Sequence, residues 1–213
     1  LMKKYSSLMG MLIQLEEKLD FINNHNQSLF SIYQNLSPNN SLQSMSGWAC
    51  KPDILKYLMD AILDRKPKLI LEVGSGISTI IMGYALSKNK YGKLISIEHN
   101  VSYVNKISDE INKHGLSSYV DIVHTNIVDY NLGNKNWSWY DTKCLSLEDD
   151  IDILFIDGPP KKTGEFARYP AIPILEKYLS NESIIILDDG RRDDEKSIVD
   201  MWEKEFEGLK SQY

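Results

Sequence analysis

The sequence predicts a doubly wound α/β domain on a mainly parallel sheet, preceded by one long helix. Three observations carry this. From Lys68 to Glu207, short apolar runs alternate with helix-period stretches, as in strand–helix–strand units. The runs are apolar almost throughout, as strands covered on both faces are. Residues 2–36, by contrast, show neither proline nor an internal turn signal.

In that first segment Tyr5, Leu8, Leu12, Leu15, Leu19, Ile22, Asn26, Leu29, Tyr33 and Leu36 follow steps of three and four. This is a heptad seam, with Asn26 where a buried asparagine fixes register in a dimer. Met9, Met11, Phe30 and Ile32 widen the apolar face beyond a two-stranded seam. The helix therefore either packs on its own domain or in a bundle, or joins two copies of the chain as a homodimer. Residues 37–48, rich in Ser, Asn and Pro, read as a linker or ordered loop. The expected division is 1–45, helix and linker, and 46–213, the α/β domain.

After Pro52, residues 53–63 form a short amphipathic helix with Ile54, Leu55, Leu58 and Ile62 on one face. Strands follow at 68–73, 93–98, 120–125, 151–157 and 183–189, and helices at 77–86, 101–113, 167–179 and 193–207. Residues 130–150 are too long for an ordinary connection and hold Trp137, Trp139 and Tyr140. They fit either a substrate-covering loop or an extra helix with aromatic anchors.

A chain of 213 residues with 42% hydrophobic content can bury one sizeable core. A net charge of −6 argues against a nucleic-acid partner, whose phosphates call for clustered Lys and Arg. The two cysteines, Cys50 and Cys144, have neither CxxC spacing nor a nearby histidine, so a disulfide framework or zinc site is not expected. No apolar run reaches the ~20 residues a membrane span needs, and no signal-peptide pattern opens the chain. The expected location is the cytoplasm.

The chemistry concentrates at strand ends. Gly74-Ser75-Gly76 follows the first strand, where glycines permit a tight turn and close approach of a ligand to the backbone. Glu98 ends the second strand, where a carboxylate accepts hydrogen bonds from ribose hydroxyls. A dinucleotide site wants a third glycine at position 79, for the pyrophosphate to meet the helix N-terminus. Thr79 stands there instead, and Glu72 precedes the turn. An acid there suits a cationic, phosphate-free nucleoside, which favours S-adenosylmethionine over NAD.

The motifs EVGSG, SIEHN, IDILFIDGPP and IIILDDG, in this order, resemble those of class I S-adenosylmethionine-dependent methyltransferases. IDGPPKKTGEFARYPAIPIL followed by LDDGRRDDE is similar to a bacterial subgroup related to catechol-type O-methyltransferases. The resemblance spans residues 46–207 and implies a Rossmann-like fold. It implies that Gly74, Ser75 and Gly76 line the methionine and ribose portion, with Glu72 beneath. It gives the ribose hydroxyls to Glu98, the adenine to His99, Asn126 and Ile127, and the methionine end or substrate to Asp157. Bland readings stand beside these: Glu72 as a helix cap, His99 as a surface residue, Asn126 as a strand terminator.

Asp157, Asp188 and Asp189 would then end adjacent strands. Clustered carboxylates repel unless a cation sits between them. Relatives bind magnesium through two acids and an amide at matching positions; here Asp189 replaces the amide. Oxygen-only ligands suit Mg²⁺ or Ca²⁺, while in the competing reading Asp188 or Asp189 acts as a base or helix cap. Asp157 and Asp188 are the candidates for removing a proton from a hydroxyl nucleophile. Lys161, Arg168, Tyr169 and Arg191 are candidates for an anionic or sugar-like acceptor. The expected activity is O-methylation of a small molecule or glycan. The alternatives are a catalytically idle cofactor-binding module and an NAD-linked oxidoreductase. The family usually adds two more strands after the last helix; the residues here leave no room for both, so a shortened sheet edge is expected.

Overall fold

A computed structural model describes residues 2–45, 50–133, 135–145, 147, 150–212, and the side chains from residue 9 onward. The seam positions Tyr5 and Leu8 and linker residues 46–48 lie outside the described side chains or residues.

Five parallel strands form the sheet: β1 (Leu69–Val73), β2 (Lys93–Glu98), β3 (Val120–His124), β6 (Ile151–Ile156) and β7 (Leu179–Leu187), in the order β3-β2-β1-β6-β7. Between β3 and β6 the chain makes an antiparallel hairpin, β4 (Ile127–Leu132) with β5 (Lys135–Tyr140). Strand alternation sends Ile70, Leu94, Ile153 and Phe155 to one face. There they meet α2 (Pro52–Arg65), α3 (Ile77–Asn89), α4 (Val101–Lys113) and the end of α1 (Met2–Leu36). Leu71, Val73, Leu154 and Ile156 go to the other face, against α5 (Ala171–Leu175), α6 (Asp193–Glu205) and the hairpin.

The helix α1 docks on the domain through its second half: Ser28, Ile32 and Leu36 are buried, and Phe21 and His25 face the cavity and α2. Seam residues Leu12, Leu15, Leu19 and Ile22 remain half-exposed, as do Met9, Met11 and Phe30. Among the described residues no helix is long and apolar enough to cross a membrane.

Two expected elements change. The described residues of 130–150 form neither a covering loop nor an α-helix: they complete the hairpin and add a short 3₁₀ turn at Thr142–Cys144. Alternation buries Trp137 and Trp139 on one face of β5, and Tyr140 packs against the cavity. The helix expected over 167–179 shrinks to Ala171–Leu175, with a 3₁₀ turn at Glu176–Tyr178. Phe166 adopts a left-handed φ of +51° and starts a turn that its carbonyl closes with the N–H of Tyr169. Pro170 lacks a donor and disfavours helix at Tyr169, so the helix begins only after it. The final strand then starts at Leu179, four residues earlier than expected.

Candidate active site

The strand order reverses between β1 and β6, and the loops leaving these strands diverge there into a crevice. Gly74 makes the turn after β1 with φ +93°. A Cβ there would lie 3.0 Å from the backbone carbon and oxygen of Asp157, so conformation and space both require glycine. Gly76 differs: its backbone is extended, and its N–H donates to Thr79 Oγ1 at 3.0 Å.

Thr79, fully buried, fills the place of a third glycine and ties the turn to Glu72. Its hydroxyl donates to Glu72 Oε2 at 2.5 Å, Ser96 donates to the same oxygen at 2.6 Å, and Ser78 donates to Oε1 at 2.5 Å. Ser96 is the β2 neighbour of Glu72 in the sheet register. Burial pushes the Glu72 carboxyl up to about 7 against the downward pull of the three hydroxyls. Glu72 thus braces the glycine turn from behind.

In front of the turn lies a cavity of about 700 Å³, within the usual range for a small-molecule site. It is lined by Gly74, Ser75, Glu98, His99, Asp157, Asp188 and Asp189 among others. Glu98 is held by the N–H groups of Asn100 (2.7 Å to Oε1) and Ser75 (3.3 Å to Oε2), with His99 Nδ1 2.9 Å from Oε1. Among the described residues, Ser75 Oγ is buried without a hydrogen-bond partner. Tyr140 closes one wall, edge-on to the His99 ring at 5.7 Å between centroids. It fits because residue 158 is glycine: a Cβ there would stand 2.3 Å from the Tyr140 hydroxyl.

Of the residues singled out in the sequence, Glu72 and Gly76 sit behind or beside the turn and do not line this cavity. Asn126 and Ile127 lie at the base of the hairpin, also outside the lining. Asn126 is exposed and its carbonyl accepts the Asp141 N–H at 2.8 Å; Ile127 pairs with Tyr140.

The three aspartates converge, with one oxygen of each within 4.8 Å of the others. Arg168, itself buried, lies among them. Its Nη2 is 3.0 Å from Asp157 Oδ1 and 3.4 Å from Asp189 Oδ2, and its Nη1 donates to the Asp188 carbonyl at 2.8 Å. Arg192 adds a second pair to Asp189 at 2.7 Å. Asp189 has a left-handed φ of +58°, and its N–H donates to Asp188 Oδ1 at 2.7 Å. Burial, then the neighbouring Asp188, raise the Asp157 carboxyl well above the usual range, with Arg168 opposing. Burial likewise raises Asp188, opposed by the Asp189 N–H. The oxygen-only donor set suits magnesium in kind, but the space between Asp157 and Asp189 is already taken by the guanidinium. The residues present do not fit the metal.

The rim carries Lys161, paired with Asp194 at 2.6 Å, and Arg191. Tyr169 turns away from the cavity, its ring 4.4 Å from Trp137 and its hydroxyl donating to Glu205. The structure adds lining residues that sequence reasoning did not assign: Phe21, Lys51, Asp53, Ile54, Tyr103 and Tyr140. Phe21 arrives from α1, its ring 4.0 Å from that of His25, whose Nε2 is 3.7 Å from Asp53. Only Tyr140 stood in a segment already marked by composition.

Comparison with known proteins bears on the fold and the family. No curated protein matches the chain significantly in sequence. Among solved structures, a methyltransferase from Podospora anserina bound to SAH superposes with a TM-score of 0.52 at 19% identity, covering 81% of this chain and 70% of its own. The O-methyltransferase TomG of tomaymycin synthesis from Streptomyces achromogenes, in complex with SAM, gives 0.53 at 15% identity over 88% and 78%. An O-methyltransferase from Bacillus cereus in complex with SAH gives 0.53 at 17% over 84% and 77%. These likenesses establish the fold. A family profile described as "Methyltransferase domain" matches residues 71–190, from within β1 to just past β7. The chain belongs to this methyltransferase-domain family.

Proposed function

We propose that the protein is an S-adenosylmethionine-dependent methyltransferase that methylates a hydroxyl of a small molecule or glycan. One observation carries the reading: the glycine turn, the amide-fixed Glu98 and the Asp157–Asp188 pair share one cavity at the strand carboxyl ends. The tight approach at Gly74 and the unpartnered Ser75 Oγ fit a ligand lying along the turn. S-adenosylmethionine, when bound, supplies an electrophilic methyl group.

Within that reading Glu98 receives ribose hydroxyls and His99 flanks the base, with Asn126 and Ile127 farther along the same edge. The net charge of the Asp157, Asp188 and Asp189 cluster suits a cationic methionine end. Methyl transfer demands mainly that the acceptor oxygen be aligned. Asp157 and Asp188, with raised proton affinity, are the groups suited to take the hydroxyl proton as the new C–O bond forms. Arg191 and Lys161 on the rim suit an anionic or sugar-like acceptor. The two free cysteines, one of them exposed, suit a reducing compartment, the cytoplasm.

The half-exposed α1 seam at Leu12, Leu15, Leu19 and Ile22 suits a second copy of this chain, in register at Asn26. Because Phe21 lines the cavity, such pairing would lie next to it.

A screen of hydroxylated acceptors with S-adenosylmethionine tests the enzyme against the idle module. S-adenosylhomocysteine should form with wild type and fall at least about 100-fold with Asp157→Asn, the lower range for a lost acid–base group. An unchanged rate in the variant removes Asp157 from the mechanism.

A further inference from the structure

Resting on the methyltransferase reading above, we infer that Arg168 takes the place of a divalent cation in the carboxylate cluster, so that the acceptor is bound without metal chelation. Arg168 Nη2 reaches both Asp157 Oδ1 (3.0 Å) and Asp189 Oδ2 (3.4 Å), one oxygen on each of two carboxylates of the cluster. Its Nη1 is anchored by the Asp188 carbonyl at 2.8 Å and lies 3.9 Å from Glu195 Oε1. The side chain is only 7% exposed. A magnesium ion needs oxygens at about 2.1 Å and keeps several waters. Between these two carboxylates it would have to displace a guanidinium already within hydrogen-bond distance of both.

Arginine is suited to this work because it never loses its proton and its planar fork can serve several oxygens at once. Geometry delivers it there: the turn begun by Phe166, at φ +51°, carries Arg168 back over the end of β6. The N–H of Ala171 then closes on the Arg168 carbonyl at 3.2 Å. Arg168 is thus a positioning residue. It holds Asp157 and Asp189 around the cavity and neutralises part of their charge. The acceptor then needs only one hydroxyl near Asp157, with no second oxygen for a shared metal.

Manganese binding, read from the loss of the free Mn²⁺ electron paramagnetic resonance signal, tests this without reference to turnover. Wild type should show no saturable site below about 1 mM, the weak end of protein cation sites. Arg168→Gln should open the cluster and bind one Mn²⁺ at least about tenfold more tightly than wild type. Asp188→Asn added to Arg168→Gln should abolish that binding. A submillimolar stoichiometric site in wild type, lost with Asp188→Asn, overturns the inference. Absence of the site in a folded Arg168→Gln protein overturns it as well. Near-ultraviolet circular dichroism establishes folding, and the wild-type arm decides the matter if Arg168→Gln fails to fold. S-adenosylhomocysteine affinity measured in EDTA separates the two readings: no binding sinks the cofactor assignment, while the manganese result still judges Arg168.

Discussion

Replacing Glu72 by Gln should convert a pH-dependent stability into one that this position no longer moves. The carboxyl is fully buried and rises from its ordinary 4.5 to about 7. Between those limits the folded state keeps a proton that the unfolded chain has released. Wild-type stability from this group therefore falls as pH rises from about 4.5 to about 7, then levels. At about 1.4 kcal/mol per pH unit, the total is about 3 kcal/mol. Glutamine contributes nothing to this slope. Its amide does meet the Ser78, Thr79 and Ser96 hydroxyls less well, but that cost is constant with pH. Urea denaturation of both proteins at intervals from pH 4.5 to 7.5 gives the stability difference directly. Glu72→Gln should gain on wild type by about 3 kcal/mol across the range. A difference that stays constant within about 0.5 kcal/mol would refute the burial argument.

Gly74→Ala should abolish S-adenosylhomocysteine binding and destabilise the fold, because the added Cβ meets the Asp157 backbone at 3.0 Å with φ at +93°; calorimetry showing wild-type affinity would contradict the tight turn. Trp139→Ala, at a fully buried hairpin position, should cost about 3–5 kcal/mol in denaturant unfolding. A cost under about 1 kcal/mol would mean the hairpin contributes little to the core. Leu15→Glu with Leu19→Glu should shift the sedimenting species from dimer to monomer while leaving the domain folded. A monomeric wild type at the same concentration would end the pairing proposal.

Much of the sheet was legible because buried parallel strands are written as unbroken apolar runs. KLILEV, KLISIE and IDILFID each place their strand within about one residue at either end. The hairpin was legible too, though easily passed over. Ile127–Leu132 and Lys135–Tyr140 flank only Gly133 and the asparagine after it, and Trp137 and Trp139 alternate as strand residues do. Long polar composition masked that two-residue period. Ser96 left a fainter trace as the one hydroxyl in an apolar strand, and its meaning appears only in register opposite Glu72. Pro170 carried the signal against a helix through 167–170, but the left-handed turn at Phe166 had no mark in residue type. Arg168 depends on that turn. Its pairing with Asp157 and Asp189 joins separate loops, a proximity set by tertiary structure alone. Gly74, Ser75, Glu98 and Asp157 were readable because strand ends fix their positions locally, whereas Phe21 reaches the cavity only through the docking of α1.

Isothermal titration of the protein with S-adenosylhomocysteine, and in parallel with NAD, tests the central claim most directly. Saturable, one-to-one S-adenosylhomocysteine binding is expected, weakened at least about tenfold by Glu98→Ala through lost hydrogen bonds to a charged group. No heat with NAD should be seen. Absence of S-adenosylhomocysteine binding at millimolar concentration, or tight NAD binding, would contradict the account.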